Sequence, residues 1–193
     1  MKIYLFCFFL LYSLSCQTPS NKDGLVGNNQ SKNTLNPTHS TVFNQSFEQL
    51  LTAYLQLKDQ LVAEKDSGIA QATRALVLAS DSLKLSELQA DSILVQTAFS
   101  YSDGISSEAQ GLLGENNLLS KRRSFQMISD QLFDLIRTVQ YQQKPLYRFY
   151  CNNAFEDQGA FWISDQTGLT NPYQPNLKPL CGEIKDTISV ASN

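Results

Sequence analysis

Proline placement constrains this chain more than any other single feature. The six prolines are Pro19, Pro37, Pro145, Pro172, Pro175 and Pro179, so positions 38–144 contain none. Proline removes a backbone donor and clashes with the preceding helical turn, so long helices can form only where it is missing. Within that window the apolar residues keep helical spacing. Phe47, Leu50, Tyr54, Leu57 and Leu61 form one stripe; Ile69, Ala72, Leu76, Ala79 and Leu83 form a second. A third, less regular, runs through Leu94, Ala98, Tyr101, Ile105, Ala109 and Leu112, and a fourth through Phe125, Ile128, Leu132, Leu135 and Val139. Steps of three and four place each set on one helix face. Breaks are expected at Asp66-Ser67-Gly68, at Ser86-Glu87-Leu88-Gln89 (a capping-box pattern) and at Gly114-Glu115-Asn116-Asn117. Four antiparallel helices over 43–144, a four-helix bundle in a mainly α chain, are therefore predicted. Gly104 and Gly111 weaken the third helix and mark a kink or a close helix crossing.

The start of the chain sets the compartment. Met1-Lys2 precedes an apolar run, Ile3 to Tyr12, too short for a membrane span and right for a secretory signal. The run closes on Ser13-Leu14-Ser15-Cys16, where a small residue directly before cysteine reads as a lipoprotein cleavage site. The expectation is a signal peptide over 1–15, a lipidated Cys16 and a flexible, Asn/Gly/Pro-rich tether over 16–42 that ends with the sole histidine, His39. Cys7 would be discarded with the signal. Anchored by several acyl chains, the protein would sit at a bacterial envelope membrane, facing the periplasm or on the outer-membrane surface.

Charge and residue types exclude several functions. A net charge of −3 gives no basic footprint for nucleic acid. The densest basic cluster, Lys121-Arg122-Arg123, reads as a solvated helix face. One histidine, read as inert in the tether, leaves neither a His-rich zinc cage nor a Ser-His-Asp triad in the folded part. No Glu-x-x-His repeat supports a di-iron bundle. The Glu156-Asp157 pair has no partner set and reads as solvated. The chain is expected not to be an enzyme.

After Pro145 the composition turns aromatic and irregular. Leu146–Cys151 and Ala160–Ser164 read as two short strands or extended segments, separated by turn formers such as Asn152-Asn153 and Asp157-Gln158-Gly159. Residues 145–188 are expected to pack on one end of the bundle, with 189–193 as a disordered tail. Cys151 and Cys181 bracket this segment. Three states are open to them from the residues alone: a disulfide, a soft-metal pair for Cu(I) or Zn(II) with Met127 as a further donor, or free thiols.

The order of residues resembles a bacterial family of unknown function, domain 3347. Tyr54-Leu55-Gln56-Leu57-Lys58-Asp59-Gln60-Leu61-Val62 is similar to its first helix. Tyr147, Tyr150-Cys151, Gly159-Ala160-Phe161-Trp162-Ile163-Ser164, Asn171-Pro172-Tyr173 and Cys181-Gly182-Glu183-Ile184 are similar to its tail. The resemblance covers about 45–188. It implies a helical domain with a compact cysteine-bearing tail in small envelope proteins, or appended to periplasmic adaptors of copper and silver efflux type. It also implies heavy-metal binding, copper foremost, with an efflux adaptor or another envelope protein as partner. Two family thioethers are replaced here: the family's Cys-Pro-Met reads Cys151-Asn152-Asn153, and Lys178 stands where a methionine precedes the final Cys-Gly-Glu. An ammonium in place of a soft sulfur works against cation binding.

Overall fold

Four long helices and a small sheet make up the computed structural model, which describes residues 39–188; Cys16, the expected signal peptide, most of the expected tether and 189–193 lie outside them. The helices are α1 (Thr41–Ala63), α2 (Asp66–Asp81), α3 (Ser92–Gly114) and α4 (Leu118–Thr138), with a 3-10 turn at Leu85–Glu87. The strands are β1 (Leu146–Cys151), β2 (Ala160–Ser164) and β3 (Glu183–Ile188). Among the described residues no helix is long and apolar enough to cross a membrane.

Side-chain caps explain where the helices start. Ser40 accepts a hydrogen bond from the Phe43 amide at 3.0 Å and opens α1. Asp91 caps α3 through the Leu94 amide at 2.8 Å, and Asn117 caps α4 through Ser120 at 2.8 Å. The capping box expected at Ser86 is not the one used. That segment forms the 3-10 turn, and the acid five residues later starts the helix because its carboxylate reaches the first free amides. Glu64, in the left-handed region at φ 55°, ends α1.

Each helix packs on its sequence neighbour, with the four stripes turned inward. Phe47, Leu50, Tyr54, Leu57, Leu61, Leu76, Ile105, Leu112, Phe125, Ile128, Leu132 and Leu135 are fully buried. At about 25 cal/mol per Å² of buried apolar surface, such side chains contribute most of the folding drive. The irregular third stripe has a physical reason. Ser102 and Ser106 face α2, where the Ser102 hydroxyl donates to Ser80 O at 2.9 Å and Ser106 to the Asp81 carboxylate at 2.6 Å. Small polar residues thus sew α2 to α3 where larger apolar ones would hold the helices apart. Gly104 leaves room for the Gln131 amide of α4, whereas Gly111 meets open space.

The sheet order is β2-β1-β3, antiparallel throughout. Both expected strands form at the expected residues, and a third, β3, adds to the far edge of β1. Its residues Glu183 to Thr187 are all exposed, so no apolar stripe advertises it in the sequence. β2 lies against α4.

Two expectations change. His39 is not part of a solvated tether: it is buried, 7% exposed, against Phe43 at 4.9 Å, and its Nε2–H donates to Val139 O at 2.5 Å. The folded domain therefore begins before residue 43, because an aromatic ring next to a helix cap finds apolar partners at the end of α4. The basic triplet is only in part a solvated face: Arg123 is exposed, while Lys121 and Arg122 are half-buried. Lys121 pairs with Asp66 at the start of α2, and Arg122 bonds Glu64 at 2.9 Å and Pro172 O at 2.8 Å. Arg123 lies 4.8 Å over the Phe155 ring. Lys121 and Arg122 bury their stems while their heads fasten segments distant in the sequence.

His39 also yields a pH effect. Its Nδ1 is buried without a partner, so protonation would strand a charged donor, and burial holds its pKa below the ordinary 6.5. The unfolded chain then takes up a proton that the folded chain refuses. This stability is complete above about pH 6.5 and is lost as pH falls through the lowered folded value. Denaturant unfolding compared at about pH 7.5 and 5.5 should show this loss, and a His39→Gln variant should show a shallower one.

Candidate functional site

The cysteine-bearing end of the sheet is where the sequence placed the chemistry. Cys151 ends β1 and is completely buried; Cys181, partly exposed, stands two residues before β3. The two form a disulfide with Cα atoms 5.2 Å apart. Two amide oxygens approach the sulfurs, Asn152 Oδ1 at 3.4 Å from Cys181 Sγ and Gln174 Oε1 at 3.7 Å from Cys151 Sγ. On the outside, Cys181 lines a groove of about 390 Å³ together with Tyr150, Asn152, Leu177, Lys178 and Glu183.

The neighbouring motif residues are spent on internal contacts. Trp162, fully buried, stacks on its cross-strand partner Phe149 at 5.3 Å and meets Tyr173 edge-on at 5.8 Å. Asn171 uses its whole side chain: Oδ1 accepts from the Tyr173 and Gln174 amides at 2.7 and 2.9 Å, and Nδ2 donates to Cys181 O at 2.8 Å. Pro172 presents its carbonyl to Arg122, and the Tyr173 hydroxyl donates to Phe161 O. Glu183 alone points outward, paired with Lys185 at 2.6 Å. A Cβ on Gly182 would stand 2.9 Å from the Trp162 ring and 2.4 Å from Leu169. Gly182→Ala is accordingly expected to destabilise by about 1–3 kcal/mol, since the indole has nowhere to retreat; a thermal melt checks it.

Between β1 and β2 the chain makes a left-handed turn. Phe155, Glu156 and Asp157 have φ of 54°, 60° and 64°, and Gly159 follows at 78°. Each non-glycine residue there costs roughly 1–2 kcal/mol. Phe155 holds the turn by burying its ring beside Tyr173 at 5.3 Å. Glu156 and Asp157 are exposed, as expected for a solvated pair. Glu156→Gly should raise stability by about 1 kcal/mol, read as a higher denaturant midpoint with an unchanged slope.

Met127 lies on α4 with half of its surface exposed and is not among the groove-lining residues. Among the described residues no three His, Cys, Asp or Glu side chains converge in a way that could hold a metal ion. The donor set expected for copper thus reduces to two sulfurs already bonded to each other.

Sequence reasoning missed two polar clusters. Arg148 of β1 is clamped between the rings of Phe133 and Phe161, 3.8 and 3.9 Å from their centroids, and pairs with Asp130 of α4 at 3.1 Å. Burial raises the Asp130 carboxyl above its ordinary value, and the Arg148 guanidinium pulls it back. Tyr54 of α1 donates to Ser129 Oγ at 2.7 Å while accepting from the Ile163 amide at 3.0 Å; Ser129 passes its own proton to Phe125 O at 2.8 Å. Burial drives the Tyr54 phenol well up. A tyrosine interrupting an otherwise leucine-rich stripe was the available signal.

Fold and site together define a mainly helical domain whose tail is fastened by a disulfide and an aromatic lock. The family model described as "Protein of unknown function (DUF3347)" matches residues 50–144, which supports the resemblance to that family over the helical part. The match ends before β1, so the tail motifs lie beyond it. No curated protein and no solved structure matches the chain.

Proposed function

We propose that the protein is a non-enzymatic interaction module of the bacterial cell envelope, lipid-anchored through Cys16. Its folded part is an antiparallel four-helix bundle, and the Cys151–Cys181 disulfide holds its tail in an oxidising compartment. The observation that carries this reading is the pairing of the only two cysteines in the folded part. Extracytoplasmic disulfides persist where cytosolic ones are reduced, which agrees with the signal-like start of the chain. The lack of a thioether at Asn153 and Lys178, beside the two cysteines, supports the same reading, as does the use of Trp162, Asn171 and Tyr173 in internal contacts. A copper-binding role would need the bridge reduced and further donors recruited, because a disulfide sulfur is a poor ligand beside a thiolate.

Intact mass of protein isolated from the envelope tests the reading, together with a Cu(I) titration against a competing chelator. The bridged mass is expected, lighter by the two thiol hydrogens, with copper affinity no greater than that of a Cys151→Ser, Cys181→Ser variant. Two free thiols, with Cu(I) binding above that variant, would overturn it. Metabolic palmitate labelling that is lost in Cys16→Ala would support the anchor.

A further inference from the structure

The two ends of the disulfide are not equivalent. Cys151 Sγ belongs to a residue with no exposed surface, inside the aromatic lock formed around Phe149 and Trp162. Cys181 is partly exposed and opens on the groove bounded by Tyr150, Asn152, Leu177 and Lys178. A nucleophile arriving from solvent can therefore align with the S–S bond only from the Cys181 side. Of the two charged residues lining the groove, Glu183 is paired with Lys185 at 2.6 Å, and Lys178 carries a positive charge toward an approaching thiolate.

The strand that follows Cys181 has little else to hold it. Glu183, Ile184, Lys185, Asp186 and Thr187 are exposed, and β3 is joined to the domain chiefly through its ladder with β1. Two contacts pin its start, the Asn171 amide on Cys181 O at 2.8 Å and Gly182 under the Trp162 ring. Fixing a backbone costs roughly 1–2 kcal/mol per residue, about what each ladder hydrogen bond returns at best. A strand whose one partly buried side chain, Ile188, lies at its far end thus depends at its start on its covalent tie.

We propose that Cys181 is the sulfur at which an external low-molecular-weight thiol opens the bridge, and that opening it releases β3 from the edge of β1. In the first step the thiolate attacks Cys181 Sγ and forms a mixed disulfide there. The Cys151–Cys181 bond breaks, and Cys151 Sγ leaves with the electron pair and takes a proton from water. A second thiol attacks the mixed disulfide, leaving the small thiol oxidised to its dimer and Cys181 as a free thiol. Two electrons pass from the thiol pair to the protein disulfide. The product has an unpaired edge on β1 and a less covered Trp162. This proposal rests on the bridged state of the module described above.

Glutathione is the probe, used on the full oxidised protein with rapid acid quenching and peptide mapping. The glutathione adduct is expected on Cys181 and not on Cys151. Hydrogen exchange of the fully reduced protein should then show residues 183–188 and their β1 partners losing protection on the order of a hundredfold through a local opening, separate from the global unfolding by which the core of α1 to α4 exchanges. Trp162 is the only tryptophan, so its emission should shift to the red in the same step. Adduct on Cys151, or equal amounts on both, would overturn the polarity; unchanged exchange in β3 after complete reduction would overturn the release. Envelope-isolated protein that already carries two free thiols would instead remove the bridged reading itself, before any exchange is measured.

Discussion

Replacing Cys151 and Cys181 together by serine is expected to lower the unfolding free energy by about 3–4 kcal/mol. The bridge spans a sequence separation of 30, and the chain-entropy cost of closing a loop of that size gives this value. For a domain of this size the melting temperature should fall by roughly 10 °C, while far-UV circular dichroism keeps its helical signal. The helices bury their own stripes and none of them contains a bridging sulfur, so their structure should persist below the lowered melting temperature. A drop of less than about 3 °C would mean that Asn171, Tyr173 and Trp162 hold the tail without the bond.

Arg148→Ala should be nearly as damaging, at about 3 kcal/mol. It removes two stacked cation–aromatic contacts, each worth roughly 0.5–2 kcal/mol, and leaves a partly desolvated Asp130 without its partner. The planar guanidinium fills the slot between Phe133 and Phe161 in a way that an ammonium cannot. Arg148→Lys is therefore expected to recover less than half of the loss. Asp130→Asn should cost least, because the carboxylate side chain is 39% exposed and solvent screens the pair. Denaturant unfolding of the three variants gives the ranking. A larger loss for Asp130→Asn than for Arg148→Lys would show that charge rather than stacking holds β1 against α4.

The helical part was legible because its signals are local. Phe47 to Leu61 and Phe125 to Val139 announce their faces by spacing alone, and Asn117 sits where a cap must sit. β1 and β2 were legible from clustered aromatics bounded by turn formers. β3 was not, since Glu183, Lys185 and Asp186 carry no apolar alternation and the strand exists only because β1 offers an edge. His39, Lys121 and Arg122 were misread for a related reason. Whether a polar side chain is solvated or buried depends on what lies across from it, and those partners are separated from it by 50 residues or more: Val139 from His39, Asp66 and Glu64 from the triplet, Pro172 from Arg122. At the candidate site, the cysteine pairing was one of three states left open by composition. The internal employment of Asn171 and Gly182 had no sequence signal, because a fully bonded asparagine and a glycine under an indole look the same as loop residues.

Arg122, Tyr54 and Asp130 each belong to a helix inside the matched stretch 50–144, yet each finds a partner beyond it, in Pro172, Ile163 and Arg148. The border drawn by family similarity therefore runs through the middle of a cooperative unit. A fragment stopped at Pro145 would keep all four helices and lose what closes them: the Ile163 amide on the Tyr54 hydroxyl, the counter-ion of Asp130, and the Tyr173 ring beside Phe125. A domain built from the helical stretch alone would have to close that end of the bundle with some other partner, either from its own sequence or from another chain.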